Sequence, residues 1–187
     1  VLILALISFL AAGDKLQAAP LEQTADGKAL LGREGQTFRI VAHNIDVAMK
    51  APAHWRVALS TEEPIDSQVV CESPDKKSFL EVSIRMPTGV RENAKTAPND
   101  YLAQLRRYKD PEIEMKEDRS VVLPDGRRVS VWRFASRYFG VHLYTRITEG
   151  SAVIDVEASD RRRVGELTAL RRNLAELLAS YKKRDHR

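Results

Sequence analysis

Residues 119–159 read as four successive strands with a period of two in their apolar and polar side chains, and apolar residues partly cover both faces. That period marks a strand. Pro124-Asp125-Gly126-Arg127, Phe139-Gly140 and Glu149-Gly150 divide the stretch into four strands, and turns this tight let consecutive strands pair antiparallel. In the second strand Trp132, Phe134 and Tyr138 share one face, and Val129, Val131 and Arg133 share the other. In the third, Val141, Leu143, Thr145 and Ile147 oppose His142, Tyr144, Arg146 and Thr148. The expectation is a meander whose Trp132 and Phe134 face is core beneath a helix, with His142, Tyr144 and Arg146 on the opposite face.

The same period appears earlier in the chain. Residues 36–49 read as two short strands around a turn at His43-Asn44, and His54 to Leu59 as a third with Trp55 as a core anchor. Residues 68–72 form a short β-branched run, and in residues 78–86 Leu80, Val82, Ile84 and Met86 oppose Glu81, Ser83 and Arg85. The period changes to that of a helix twice. Asn99 and Asp100 are N-cap residues ahead of Leu102 and Leu105, with Pro111 as the stop. Ser159 and Asp160 are read as the cap of a long terminal helix striped by Val164, Leu167, Leu170, Leu174, Leu177, Leu178 and Tyr181.

At the other end, residues 1–12 are apolar apart from Ser8 and lead into a small, polar segment that reaches Ala19. This is the h-region and c-region pattern of a secretory signal peptide, without a basic n-region. The run ends at Asp14 and Lys15, short of the roughly 20 apolar residues a membrane span needs. The domain reading is a signal peptide at 1–19, a linker at 20–35, one domain at 36–181 and a disordered basic tail at 182–187, with no transmembrane span in the mature chain.

Composition narrows the function classes. A chain of 187 residues, 43% hydrophobic and 30% charged, suits one core. Its net charge of +4 helps solubility and is too small to imply nucleic acid, which is not expected as a partner. Cys71 is the one cysteine, so an intramolecular disulfide and a cysteine-rich metal cluster are excluded. It sits in an apolar strand and reads as an inert buried thiol. His43, His54 and His142 are scattered without metal-ligand spacing, and no nucleophile elbow, phosphate loop or dinucleotide turn occurs. No cofactor is expected.

Two surfaces carry charge in a pattern worth weighing. His142, Tyr144 and Arg146 share a face, with Arg133 or Arg137 on the neighbouring strand, and such a set suits an anionic ligand or a partner's acidic loop. The competing reading is an ordinary solvated or helix-covered sheet face. Residues 160–187 hold nine Lys or Arg against four Asp or Glu, a balance of 9 − 4 = +5. On a surface helix this serves solubility.

The order of elements gives an α+β fold: an α/β/α sandwich with a central antiparallel meander sheet, one helix mid-chain and a long C-terminal helix. Ala51-Pro52-Ala53-His54-Trp55 at a strand entry, the Pro-Asp-Gly hairpin with its aromatic strand, and the helix ending Leu177-Leu178-Ala179-Ser180-Tyr181 together resemble the PsbP-like family. The resemblance spans residues 38–181 and implies that sandwich fold. It implies no catalytic residues, since the family shares no catalytic set, and the chain lacks the lipid-bearing cysteine of some bacterial relatives. Two functions are carried forward. One is an exported, non-catalytic binding or assembly module of the bacterial cell envelope, with an envelope protein or anionic ligand as partner. The other is a small envelope enzyme of hydrolase type, with a site built from scattered polar residues of the central sheet.

Overall fold

A computed structural model of the chain describes residues 20–24, 26–62, 67–86, 99–108, 113–136, 140–162 and 167–184. The segment read as a signal peptide, the stop at Pro111, and Arg137, Tyr138 and Val164 lie outside them. The strands are β1 (Glu22–Gln23), β2 (Leu30–Glu34), β3 (Thr37–Ala42), β4 (Ile45–Lys50), β5 (Arg56–Leu59), β6 (Val69–Glu72), β7 (Ser78–Arg85), β8 (Met115–Val122), β9 (Arg128–Ser136), β10 (Gly140–Glu149), β11 (Ala152–Asp160) and β12 (Lys182–Lys183). The helices are α1 (Asn99–Tyr108) and α2 (Leu167–Ala179).

The strands form two antiparallel sheets. The larger has the order β5-β6-β7-β11-β10-β9-β8, two meanders joined where β7 pairs with β11. The smaller has the order β1-β2-β3-β4-β12. The α+β class read from the sequence is therefore the class of the structure. One helix covers each face of the large sheet. Leu170, Leu174, Leu177 and Leu178 of α2 pack with Leu80, Val82, Ile84, Leu143, Ile147, Ile154 and Val156, and Phe38, Ile40, Val47 and Met49 of the small sheet join the same core. On the other face Leu105 of α1 packs with Ile113, Phe134 and Tyr144.

Local sequence explains the joints. His43 and Asn44 take φ values of 52° and 62°, which gives the β3–β4 hairpin the left-handed two-residue turn that matches strand twist. Across this hairpin Arg39 binds Asp46 through two hydrogen bonds, Nε to Oδ1 at 2.8 Å and Nη2 to Oδ2 at 2.5 Å. Gly126 at φ 85° closes the β8–β9 hairpin by donating to the Leu123 carbonyl at 2.9 Å.

Gly140 is held by more than its φ of 84°, because a Cβ there would lie 2.0 Å from the Asp160 carbonyl oxygen. Gly140→Ala is expected to cost about 2–4 kcal/mol, combining backbone strain with overlap. Gly126→Ala, where a Cβ meets nothing within 4 Å, should cost only about 1 kcal/mol. Urea denaturation of the two variants measures the difference, and equal midpoints would show that the close approach carries no weight.

Three boundaries read from the sequence need correction. The segment taken as a linker, 20–35, contains β1 and β2, and Leu31 is fully buried. Its strands are short and rich in small and polar residues, so their period is weak, and they are ordered by pairing with β3. Ser159 and Asp160 belong to β11 rather than to a helix cap, and Asp160 instead accepts hydrogen bonds from the Arg162 amide and Nε, both at 2.9 Å. The tail is also not wholly disordered. Lys182 and Lys183 pair with Ala48 and Val47, and the Arg184 amide donates to the Asp46 carbonyl at 2.8 Å. Buried Glu149 anchors this end, accepting from the Tyr181 hydroxyl at 2.5 Å and from Lys183 Nζ at 2.9 Å.

Candidate functional site

The two-residue turn at Gly150-Ser151 pairs Glu149 with Ala152 and so fixes every cross-strand neighbour of β10. Tyr144 stands opposite Glu157, and Arg146 opposite Asp155. On the other side of β10, His142 stands opposite Phe134 and Tyr144 opposite Trp132. Directly opposed residues of an antiparallel pair project to the same face. This corrects the expectation of opposite faces: His142, Tyr144 and Arg146 share the α1 side of the sheet with Trp132 and Phe134. Arg133, by contrast, stands opposite Leu143 of the α2 core, so it lies on the far face and is exposed. The four candidates therefore divide three and one.

Beneath α1 the polar groups form two linked knots. Asp155 is the centre of the first. Its Oδ1 accepts from Arg146 Nε at 2.7 Å and from the Tyr144 hydroxyl, and its Oδ2 accepts from Arg85 Nε at 2.6 Å. Glu157 is the centre of the second. His142 Nδ1 lies 2.5 Å from its Oε1, and the Tyr101 hydroxyl of α1 donates to its Oε2. Aromatic rings seal both. Tyr101 stacks on Tyr144 at 4.2 Å between centroids, and His142 stacks on Phe134 at 4.6 Å. Such stacking adds roughly 0.5–1.5 kcal/mol per pair beyond burial.

Burial sets the electrostatics. Removal from water, with the Glu81 carboxylate on the adjoining strand adding to it, pushes the Glu157 carboxyl up to about 8. Burial, followed by the nearby Asp155 charge, pushes the Tyr144 phenol up, which keeps it a neutral donor. The thiol of Cys71 is fully buried and pushed up to about 12 by loss of solvation, as expected of an inert side chain. Among the described residues no group of three or more His, Cys, Asp or Glu side chains is placed to hold a metal. His43 and His54 serve turns at positive φ.

Sequence reasoning found the cationic and aromatic members of this face but missed Glu81, Asp155 and Glu157. The signal was present. In residues 153–158 Asp155 and Glu157 alternate with Ile154, Val156 and Ala158, and the Glu149-Gly150 turn sets the register that brings them to Arg146 and Tyr144.

Among the described residues no helix is long and apolar enough to cross a membrane. No family model matches the chain, and no curated protein matches its sequence. Among solved structures it is similar to the solution structure of cyanobacterial PsbP (CyanoP) from Synechocystis sp. PCC 6803. The TM-score is 0.48 and the identity 10%, over 91% of this chain and 95% of that one. That protein is named for the family that the sequence pattern resembles, and the likeness transfers no residue's role.

Proposed function

We propose that the protein is an exported, non-catalytic binding or assembly module of the bacterial cell envelope. One observation carries the non-catalytic part. The residues with the chemistry of a site, Arg85, Tyr101, His142, Tyr144 and Arg146, are committed to the two internal carboxylates Asp155 and Glu157 beneath α1. A side chain that holds the fold in this way acts as structural cement. Export is supported by the apolar run at residues 1–12 and the small-residue segment after it.

The test is cell fractionation of the tagged full chain, followed by its isolation from envelope extracts in several detergents and salt concentrations. A shortened protein in the envelope fraction with a reproducible partner is the expected result. Full-length cytoplasmic protein that stays monomeric in every condition would defeat the reading.

The enzyme reading keeps one specific support. A carboxyl held near 8 within 2.5 Å of a histidine is an acid–base pair matched to neutral pH. If it is catalytic, His142→Ala abolishes a measured hydrolase activity without lowering the melting temperature. If His142 is structural, the same change lowers that temperature.

A further inference from the structure

Deepening that binding reading, on which it rests, we propose that the edge strand β8 is a docking site for an extended, acidic protein segment, which adds to the large sheet as a further strand. The sequence of the large sheet's strands ends at β8, which pairs only with β9 among the described residues. Its outer row of backbone donors and acceptors is thus an open template.

The charges beside that edge define the partner. Lys116 stands directly opposite Arg133, on the α2 face of the sheet. Like charges so placed, with Cβ atoms about 5 Å apart, oppose pairing of their strands. Among the described residues Arg133 makes no ion pair, and Lys116 meets only Glu114, at 3.0 Å and with both side chains well exposed. One step along, a bulge at Asp118 sets Arg119 opposite Val131, on the same face as Arg133. Asp118 is already taken. Its buried carboxylate binds Arg171 of α2 through Nε at 2.9 Å, accepts from Arg119 at 3.2 Å, and is held below the usual carboxylate range chiefly by Arg171. Among the described residues four cations, Lys116, Arg119, Arg133 and Arg171, thus gather around two carboxylates, Asp118 and Glu114.

The rows across the sheet show where the missing negative charge fits. Leu143, Arg133 and Lys116 form one row and Thr145, Val131 and Arg119 the next on that face, so each row ends in a cation at the open edge. A strand added there lies beside Lys116 and Arg119, which the bulge at Asp118 brings to one face, and meets them with residues of its own that share that face. Acidic residues at those positions form cross-strand ion pairs. A second copy paired with Lys116 opposite Arg119 would set like charges against each other, so the pattern disfavours that self-pairing while admitting an acidic strand. Val122, exposed at 53%, gives the same strand an apolar contact at its far end.

The probe is a short fluorescein-labelled peptide alternating Glu with Thr, titrated with the full chain by fluorescence anisotropy at low ionic strength. Binding is expected, weakened about tenfold in the double variant K116E/R133E and unchanged in Arg56→Glu on the opposite edge strand β5. Both altered side chains are exposed, so folding is retained, as a melting curve verifies. Peptides N-methylated on one or the other alternate set of residues separate strand addition from simple ion contact, since only one set faces the edge. One should lose binding and the other keep it. No binding, equal binding by K116E/R133E, or equal binding by both methylated peptides overturns the docking site. If an envelope partner is retained by K116E/R133E while the peptide fails, the docking site falls and the binding-module reading stands. If no envelope partner is found yet the peptide behaves as expected, the surface stands and the envelope assignment falls.

Discussion

Asp155→Ala is expected to destabilise the protein by about 3–4 kcal/mol, with a fall in melting temperature of roughly 6–16 °C for a chain of this size. The carboxylate is 13% exposed and lies between Arg146, 10% exposed, and Arg85, 29% exposed. Alanine removes the negative charge that the two guanidinium groups share and leaves the buried Tyr144 hydroxyl without its acceptor. The penalty is that of exposing two partly desolvated cations to each other, which exceeds the worth of any one hydrogen bond. Asp155→Asn keeps an acceptor for Tyr144 and should fall between wild type and alanine. Glu176→Ala, on the exposed side of α2, should stay within about 0.5 kcal/mol of wild type. Guanidinium denaturation monitored by tryptophan fluorescence measures all three. Should Asp155→Ala match Glu176→Ala, the knot beneath α1 would have no structural role and the non-catalytic reading would lose its support.

How far the fold was legible follows from the physics of each signal. Strands announce themselves where one face is buried, which is why β7 was readable from Leu80, Val82 and Ile84, and why β3 and β4 were readable around His43-Asn44. Strands β1, β2 and β12 were missed because their order comes from partners elsewhere in the chain: Leu31 from Ile40, and Lys182 from Ala48. Local propensity carries little of that information. The end of β11 was misread because Asp160 suits a helix cap as well as it suits the Arg162 contact it makes.

The candidate site shows the same limit. Alternation places His142, Tyr144 and Arg146 on one face of their strand, but it cannot relate that face to the face of β9. That relation depends on the register across the hairpin, where Phe134 meets His142. Once the register is known, the aromatic and polar residues belong to one buried layer. Arg133, read from the sequence as their neighbour on the adjoining strand, belongs to the opposite face.

Glu157 gives that layer a dependence on pH. Its carboxyl has an ordinary value of 4.5 and is pushed up to about 8 in the folded chain, first by burial and then by Glu81. The folded state therefore binds one more proton than the unfolded state between these values, and stability falls as pH rises through the window. Stabilisation by this group is complete below pH 4.5 and is lost progressively towards pH 8. The slope is about 1.4 kcal/mol per pH unit where the difference is a full proton. Among the described residues the groups that face Glu157 include Glu81 on β7, His142 and Tyr144 on β10 and Tyr101 on α1. A neutral Glu157 can donate to His142 Nδ1 while still accepting from Tyr101, so the protonated form leaves both contacts intact. Glu157→Gln keeps the shape and removes the titration. Wild-type melting temperature should drop steadily from pH 5 to pH 8, and the Gln variant should hold nearly level and overtake it at the upper end. Parallel curves for the two proteins would mean that Glu157 titrates as it does in water, and that α1 does not exclude solvent from the layer it covers.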